Sequence, residues 1–105
     1  MKTVLLFILP LFVGSHQLSI DFDKETCSCN GVKLYGDVSI VEHYADFDVK
    51  IVTAFPDLKV KWVDHFPDSC GKWRLVEHFP DFKIRIVEHF SDFDIKVVDN
   101  FPGVN

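Results

Sequence analysis

An 11-residue repeat constrains this chain more than any other feature of its sequence. The copy over 76–86 reads VEHFPDFKIRI, a short turn-like segment followed by a run in which apolar and charged residues alternate. Phe82, Ile84 and Ile86 in this run are separated by Lys83 and an arginine. Such a period of two residues is typical of a β-strand with one buried face. A single copy is too short to bury that face alone, so the copies must pack against one another.

Six copies align on a valine that precedes an acidic residue in all but the second copy, and the sixth copy is incomplete; they begin at Val41, Val52, Val63, Val76, Val87 and Val98. A degenerate copy precedes them over 30–40, and the third copy has two extra residues near Ser69 and Cys70. Three of the six copies contain Phe-Pro-Asp, where proline favours a turn and aspartate is expected to bond its own backbone. Proline is also excluded from central strands. The sequence therefore predicts an all-β fold of tandem 11-residue strand–turn repeats.

The N-terminal residues have the pattern of an export signal. Lys2 is followed by an apolar run over 3–13 and by small residues, so we predict a signal peptide over 1–15 with cleavage near Ser15. The apolar run is shorter than the roughly 20 residues that span a bilayer. A buried N-terminal strand or a retained anchor is the alternative. With the signal removed, we expect a secreted, periplasmic or extracellular protein without a transmembrane anchor, starting with a flexible segment over 16–26.

The charge of the chain restricts its partners. The formal net charge is −5, and the lysines and arginines are scattered singly along the repeats. This composition disfavours nucleic acid and anionic lipid as partners. Hydrophobic residues make up 48 % of the chain, which is enough for one packed domain. We expect a monomer, and the sequence identifies no specific partner.

Three segments resemble the 7(1) septoil knot domain family. CSCNGVKLYGDV over 27–38 resembles the opening of that domain, FPDSCGKW over 66–73 its middle, and FPDFKIRIVEHF over 79–90 its repeats. The resemblance covers 27–105 and implies a compact knotted domain, in which the repeats wind the backbone into a seven-crossing torus knot. It implies no established activity.

Two sets of repeated polar residues are candidate metal ligands. One histidine recurs at the same position of four copies, as His43, His65, His78 and His89. On adjacent strands these imidazoles would form a ladder able to bind zinc or copper, although Ala54 and Asn100 interrupt the series. Five aspartates recur after the turn proline or its substitute, as Asp46, Asp57, Asp68, Asp81 and Asp92. A calcium ladder is possible in principle, but copied strand-end histidines and turn aspartates explain both sets more simply.

Three cysteines predict one disulfide in an oxidising compartment. A bond between Cys27 and Cys29 would be strained by their spacing, so we predict that Cys70 pairs with one of these two. The remaining thiol is left unpaired. A metal or redox site is the alternative, and the Cys-x-Cys spacing supports it only weakly.

No catalytic constellation is recognisable, and we expect neither an enzyme nor a cofactor. Trp62 and Trp73 occupy core-type strand positions, although exposed tryptophans would instead mark a binding face. Three classes of function remain: a robust exported module with a structural or binding role, which we favour; a metal-binding protein; and an enzyme.

Overall fold

The computed structural model describes residues 20–104, so the predicted signal peptide over 1–15 lies outside the described residues. The described part of the chain is all-β and contains no helix, as the repeat predicts. Its strands are β1 (Phe22–Asp23), β2 (Ser28–Cys29), β3 (Val32–Lys33), β4 (Gly36–Ile40), β5 (Phe47–Ile51), β6 (Leu58–Trp62), β7 (Lys72–Leu75), β8 (Phe82–Ile86) and β9 (Phe93–Val97).

Strands β4 to β9 close into a barrel in the order β4-β7-β6-β9-β5-β8, and all six of its strand pairs are parallel. The chain goes round this barrel twice. Strands β4, β5 and β6 form a first circuit, and β7, β8 and β9 insert between them in a second circuit. Among the barrel strands, β6 and β7 are the one pair that is consecutive in the sequence and also hydrogen-bonded in the barrel. The two extra residues of the third copy lie in the connection between these two strands, where the first circuit passes into the second.

The other connections cross the strand that separates the two strands they join. Segment 41–46 leaves β4, and its Val41 N–H donates to the Ile84 carbonyl of β8. It then joins β5 on the far side of β8, where the Asp46 N–H donates to the Lys83 carbonyl. Segments 52–57, 76–81 and 87–92 cross β9, β4 and β5 in the same way. Each circuit therefore covers strands of the other, because 41–46 and 52–57 cross second-circuit strands and 76–81 and 87–92 cross first-circuit strands.

Aspartates fasten these crossings. The carboxylates of Asp46, Asp57, Asp81 and Asp92 accept hydrogen bonds of 2.8 Å from backbone N–H groups of the crossed strands. The prediction that these aspartates bond their own turns was wrong. Each of these carboxylates instead binds a chain segment 37 or 44 residues away in the sequence. Gly36 permits one such contact, since a Cβ there would lie 2.3 Å from the Asp81 carboxylate oxygen.

The core fills the barrel from the first half of each strand. The first and third residues of β5, β6, β8 and β9 are buried, for example Phe82 and Ile84 in β8. Their fifth residues are exposed or half-buried, although the alternating pattern predicts the same inward face for them. Trp73 of β7 is fully buried and donates its indole N–H to the Leu34 carbonyl at 3.0 Å. The prediction of core-type positions thus fits Trp73 fully and the half-buried Trp62 in part.

Strands β1 to β3 form a small antiparallel sheet that covers the barrel at the start of its strands. Phe22 of β1 packs on Phe93 of β9 with ring centroids 5.5 Å apart. Cys29 and Leu34 complete this contact with the core. Phe22 and Asp23 lie in the segment over 16–26 that the sequence places outside the domain, and they form a strand because Phe22 gains an apolar contact there.

Cys27 and Cys70 form a disulfide, which confirms the predicted link to Cys70 and decides between its two partners. The bond joins the covering sheet to the β6–β7 connection. Gly71, the next residue, is required there, because a Cβ would lie 2.4 Å from the Lys59 carbonyl oxygen and 2.6 Å from the Gly103 nitrogen. Cys29 is the free thiol, and it is fully buried. Within 20–104 no helix has the length and apolar character needed to cross a membrane.

Candidate apolar binding site

The six barrel strands end in a ring of apolar side chains that the core does not cover. The last residue of each strand contributes to this ring, which consists of Ile40, Ile51, Trp62, Leu75, Ile86 and Val97. The five aliphatic members are between 40 % and 59 % exposed, although each belongs to the alternating apolar pattern of its strand. Their side chains surround an open cavity of about 510 Å³, which we call the cup.

The floor of the cup is the barrel core. Ile95, which is fully buried, separates the cavity from the interior. Trp62 stands in the ring, and its indole contacts that of Trp73 below it at a centroid distance of 5.6 Å. A ligand in the cup would therefore touch one tryptophan directly, while the other remains shielded.

Two charged side chains lie at the rim of the cup. Arg74 points its guanidinium at Asp37, with Nε–Oδ1 and Nη2–Oδ2 distances of 2.8 and 3.0 Å. The hydrogen bond and the charge of Asp37 raise the pKa of Arg74, so this side chain is a fixed cation. Asp64 lies just after β6. It is exposed and has no ion pair within residues 20–104. The rim thus has one guanidinium that is already paired with Asp37 and one unpaired carboxylate beside an apolar cavity.

The opposite end of the barrel is filled by aromatic side chains, and the cavity of about 480 Å³ beside it is lined by Gly36, Asp81 and the residues around β3 and not by these core side chains. Phe47, Phe82 and Phe93, the first residues of their strands, are each only 2 % exposed. Their rings pack on one another at centroid distances of 5.6 and 5.9 Å. The β1–β3 sheet lies over them, held by the disulfide. The extra N-terminal segment therefore closes one end of the barrel and leaves the cup as the open end.

The four repeat histidines do not converge. His43, His65, His78 and His89 are exposed, each on a different connection between strands, and each ring lies 6.2–6.4 Å from the aromatic ring of the next residue. They lie on loops and not on adjacent strands, so the ladder that the sequence left as an alternative is not supported. Residues 20–104 contain no group of three or more His, Cys, Asp or Glu side chains arranged to hold a metal ion.

The buried free thiol has the properties of a structural cysteine. Burial raises the pKa of the Cys29 thiol to about 11, and the carboxylates of Asp92, Asp21 and Asp57 contribute in the same direction. A thiol with such a pKa stays protonated near neutral pH and is a poor nucleophile. Cys29 therefore packs as a small apolar side chain.

Sequence reasoning missed the cup, although the sequence contains a signal for it. In β5, β6, β8 and β9 three apolar residues alternate, while the first two suffice to fill the barrel at each strand. The third could be assigned to an open end only from the strand order, and five of the six strand pairings join residues 37 or 44 positions apart.

Together these features define a small parallel β-barrel of short repeats, closed at one end by an N-terminal sheet and open at the other in an apolar cup. The model of the 7(1) septoil knot domain family matches residues 31–105, and the chain belongs to this family. No curated protein matches the chain in a sequence comparison.

Proposed function

We propose that this protein is an exported, non-catalytic binding module that holds an apolar group in the cup. The observation that carries the proposal is the convergence of six strand ends on one open apolar cavity of about 510 Å³. Ligand pockets have volumes of roughly 300–1,000 Å³ and are common in the mouths of β-barrels. Exposed clusters of large apolar side chains are unfavourable in water unless they meet a partner.

The chemistry of the lining indicates the chemistry of the ligand. Nearly all of the lining is aliphatic or aromatic, and the charged groups, Asp64 and Arg74, are at the rim. A ligand that fits has an apolar body and, at its outer end, a small hydrogen-bond donor or cationic group that can meet the Asp64 carboxylate. The lining side chains include no hydroxyl, thiol or imidazole, which supports a binding role over covalent catalysis.

Stability outside the cell is the second part of the proposal. The disulfide suits an oxidising compartment. The crossings of each circuit over strands of the other oppose the separate release of single strands. If the backbone forms the knot that the family name describes, unfolding requires many strand pairs to break together, and stability becomes a matter of rate. A rigid scaffold also keeps the six cup residues in place without a ligand.

Trp62 provides a direct test of the cup. We expect octanol, a neutral amphiphile, to shift the tryptophan emission of the protein in a saturable one-to-one titration. The double substitution Ile51→Asp/Leu75→Asp places charges in the ring at two side chains that are 52 % and 59 % exposed, so it should preserve folding. It should weaken octanol binding by about tenfold or more, which corresponds to about 1.4 kcal/mol or more.

Two matched variants control this titration. Ile20→Asp introduces the same charge at an exposed isoleucine that is not part of the cup and should leave the affinity unchanged. Trp62→Phe keeps the ring apolar and should remove most of the signal while octanol still binds by calorimetry. Equal affinity of the wild type and the Ile51→Asp/Leu75→Asp variant, or no saturable binding, would refute the proposal.

A further inference from the structure

Six aromatic side chains project from the loops around the barrel. Tyr44 and its counterparts in the later copies are between 77 % and 96 % exposed; together they are the loop tips, namely Tyr44, Phe55, Phe66, Phe79, Phe90 and Phe101. All six have left-handed backbone, with φ between 56° and 63°. Within residues 20–104, the only aromatic neighbour of a loop-tip ring, in four of the six loops, is the histidine before it. None of these rings is part of the barrel core.

The loop-tip residues are unfavourable in two respects: their apolar rings are exposed to water, and their backbone is in the left-handed region. A left-handed conformation costs a non-glycine residue roughly 1–2 kcal/mol, and asparagine or glycine tolerates it better than phenylalanine. Local strain of this kind is concentrated at functional sites. A simple copying of the repeat does not explain it, because the neighbouring positions have diverged: the residue before the tip is His, Ala or Asn, and the residue after it is Ala, Pro or Ser. The tip itself is aromatic in all six copies.

The chain therefore carries an apolar cavity and, separately, exposed aromatic side chains. The cup accepts an apolar group, and a loop tip offers an exposed aromatic ring on a short loop. The polar groups also match. Arg74 is already paired with Asp37, so Asp64 is the rim charge that has no ion pair within residues 20–104. The tip Phe79 follows His78, and an imidazole N–H can donate to the Asp64 carboxylate.

We propose that the occupant of the cup is an aromatic loop tip of a second copy of this chain. The inference rests on the proposed function, since it uses the same cup and names its ligand. The contact joins the cup of one copy to a loop tip of another, so it is heterologous. Each copy that is added still has a free cup or free loop tips. Such contacts build open chains of molecules unless the rotation between copies closes a ring.

The contact is expected to be weak. One inserted aromatic side chain buries on the order of 150–250 Å², well below the 1,200–2,000 Å² of a stable protein interface. We expect a dissociation constant on the order of 0.1–1 mM for one contact. The protein is then a monomer in dilute solution, as the sequence predicts, and associates when it is concentrated.

Complementary variants test the proposal. The tip variant replaces all six loop tips by asparagine, which suits left-handed backbone and should keep or raise stability. The cup variant is Ile51→Asp/Leu75→Asp, and Ile20→Asp is its control. In sedimentation equilibrium up to about 1 mM, we expect the average mass to rise with concentration for the wild type and for Ile20→Asp. The tip variant and the cup variant should each remain monomeric alone.

Mixing the two monomeric variants gives the decisive result. The tip variant retains its cup and the cup variant retains its tips, so an equimolar mixture should recover association. A mixture that stays monomeric overturns the inference, as does association that persists in the cup variant. A wild type that is monomeric at about 1 mM but still binds octanol overturns this inference and leaves the proposed function intact.

A peptide measurement keeps the inference falsifiable if the tip variant fails to fold. The hexapeptide of residues 76–81, Val-Glu-His-Phe-Pro-Asp, should displace octanol from the wild-type cup. The same peptide with alanine in place of Phe79 should not. Equal competition by the two peptides, or by neither, overturns the inference.

Discussion

The two ends of the barrel are built from the same repeat and have opposite surroundings. At the closed end, Phe82 and its counterparts in β5 and β9 are 2 % exposed beneath the β1–β3 sheet. At the open end, Ile86 of the same strand is 40 % exposed and lines the cup. The side chains are apolar in both places, so composition does not cause the difference. The cause is the N-terminal segment, which covers one end and has no equivalent at the other within residues 20–104.

The comparison assigns different roles to the two ends: the closed end stabilises the fold, and the cup serves binding. Side chains at the closed end and in the middle of the barrel pack against the core, and their loss should destabilise the fold. Side chains of the cup gain less from folding because they remain in contact with water. Their retention in every strand therefore supports a role in binding.

The largest expected effect is on the free energy of unfolding, when the disulfide that holds the β1–β3 sheet over the closed end is removed. The variant Cys27→Ser/Cys70→Ser removes a bond between residues separated by 43 positions. The lost constraint on the unfolded chain corresponds to about 4 kcal/mol for a loop of this length. Urea unfolding should show a loss of this size, while octanol affinity at the cup stays unchanged. A loss below about 1 kcal/mol, or a weakened cup, would contradict the independence of the two ends.

The same variant tests the crossing loops. Ordinary small domains unfold at rates of roughly 10¹ to 10⁻⁶ s⁻¹ in water. We expect this variant to unfold over many minutes even in moderate urea, because the crossings of each circuit over the other require several strand pairs to open together. Stopped-flow fluorescence measures the rate. Complete unfolding within seconds would show that the crossings add no kinetic barrier.

A second expected effect compares two isoleucines on one strand. Ile84→Ala should lower the free energy of unfolding by about 2–5 kcal/mol, since Ile84 is fully buried. Ile86→Ala, two residues later, should lower it by about 1 kcal/mol or less because this side chain is 40 % exposed. Octanol binding should respond in the opposite order, with the larger loss for Ile86→Ala. Equal destabilisation by the two substitutions would mean that the cup is covered in solution.

A smaller effect arises from the thiol under the covering sheet. Burial raises the pKa of Cys29 from 9.0 to about 11, so the folded state holds a proton that the unfolded state releases between these values. The resulting stabilisation is complete below pH 9 and is lost as the pH rises towards 11, by roughly 2–3 kcal/mol. Comparing the pH dependence of urea unfolding for the wild type and Cys29→Ala isolates this effect from other titrating groups. Parallel curves would indicate that the closed end is open to water.

Much of the barrel was predictable from sequence because its signals are local. Alternation in Phe82, Ile84 and their counterparts predicts the strands, and the spacing of Cys27 and Cys29 excludes a bond between them. The β4-β7-β6-β9-β5-β8 order was not predictable, since each pairing joins residues more than ten positions apart and all copies look alike. The hydrogen bonds of Asp81 and its counterparts were missed for the same reason, because the backbone N–H groups that donate to these carboxylates belong to the other circuit. The exposure of Ile86 follows from that strand order as well.

The most direct test of the difference between the two ends is methyl NMR during an octanol titration. The account predicts saturable shifts for the methyl groups of Ile40, Ile51, Ile86 and Val97, which line the cup. The methyl groups of Val32 and Leu34, which lie against the closed end, should not respond. Shifts at Val32 and Leu34, or shifts scattered over the whole molecule without saturation, would contradict the assignment of the open end as the binding site.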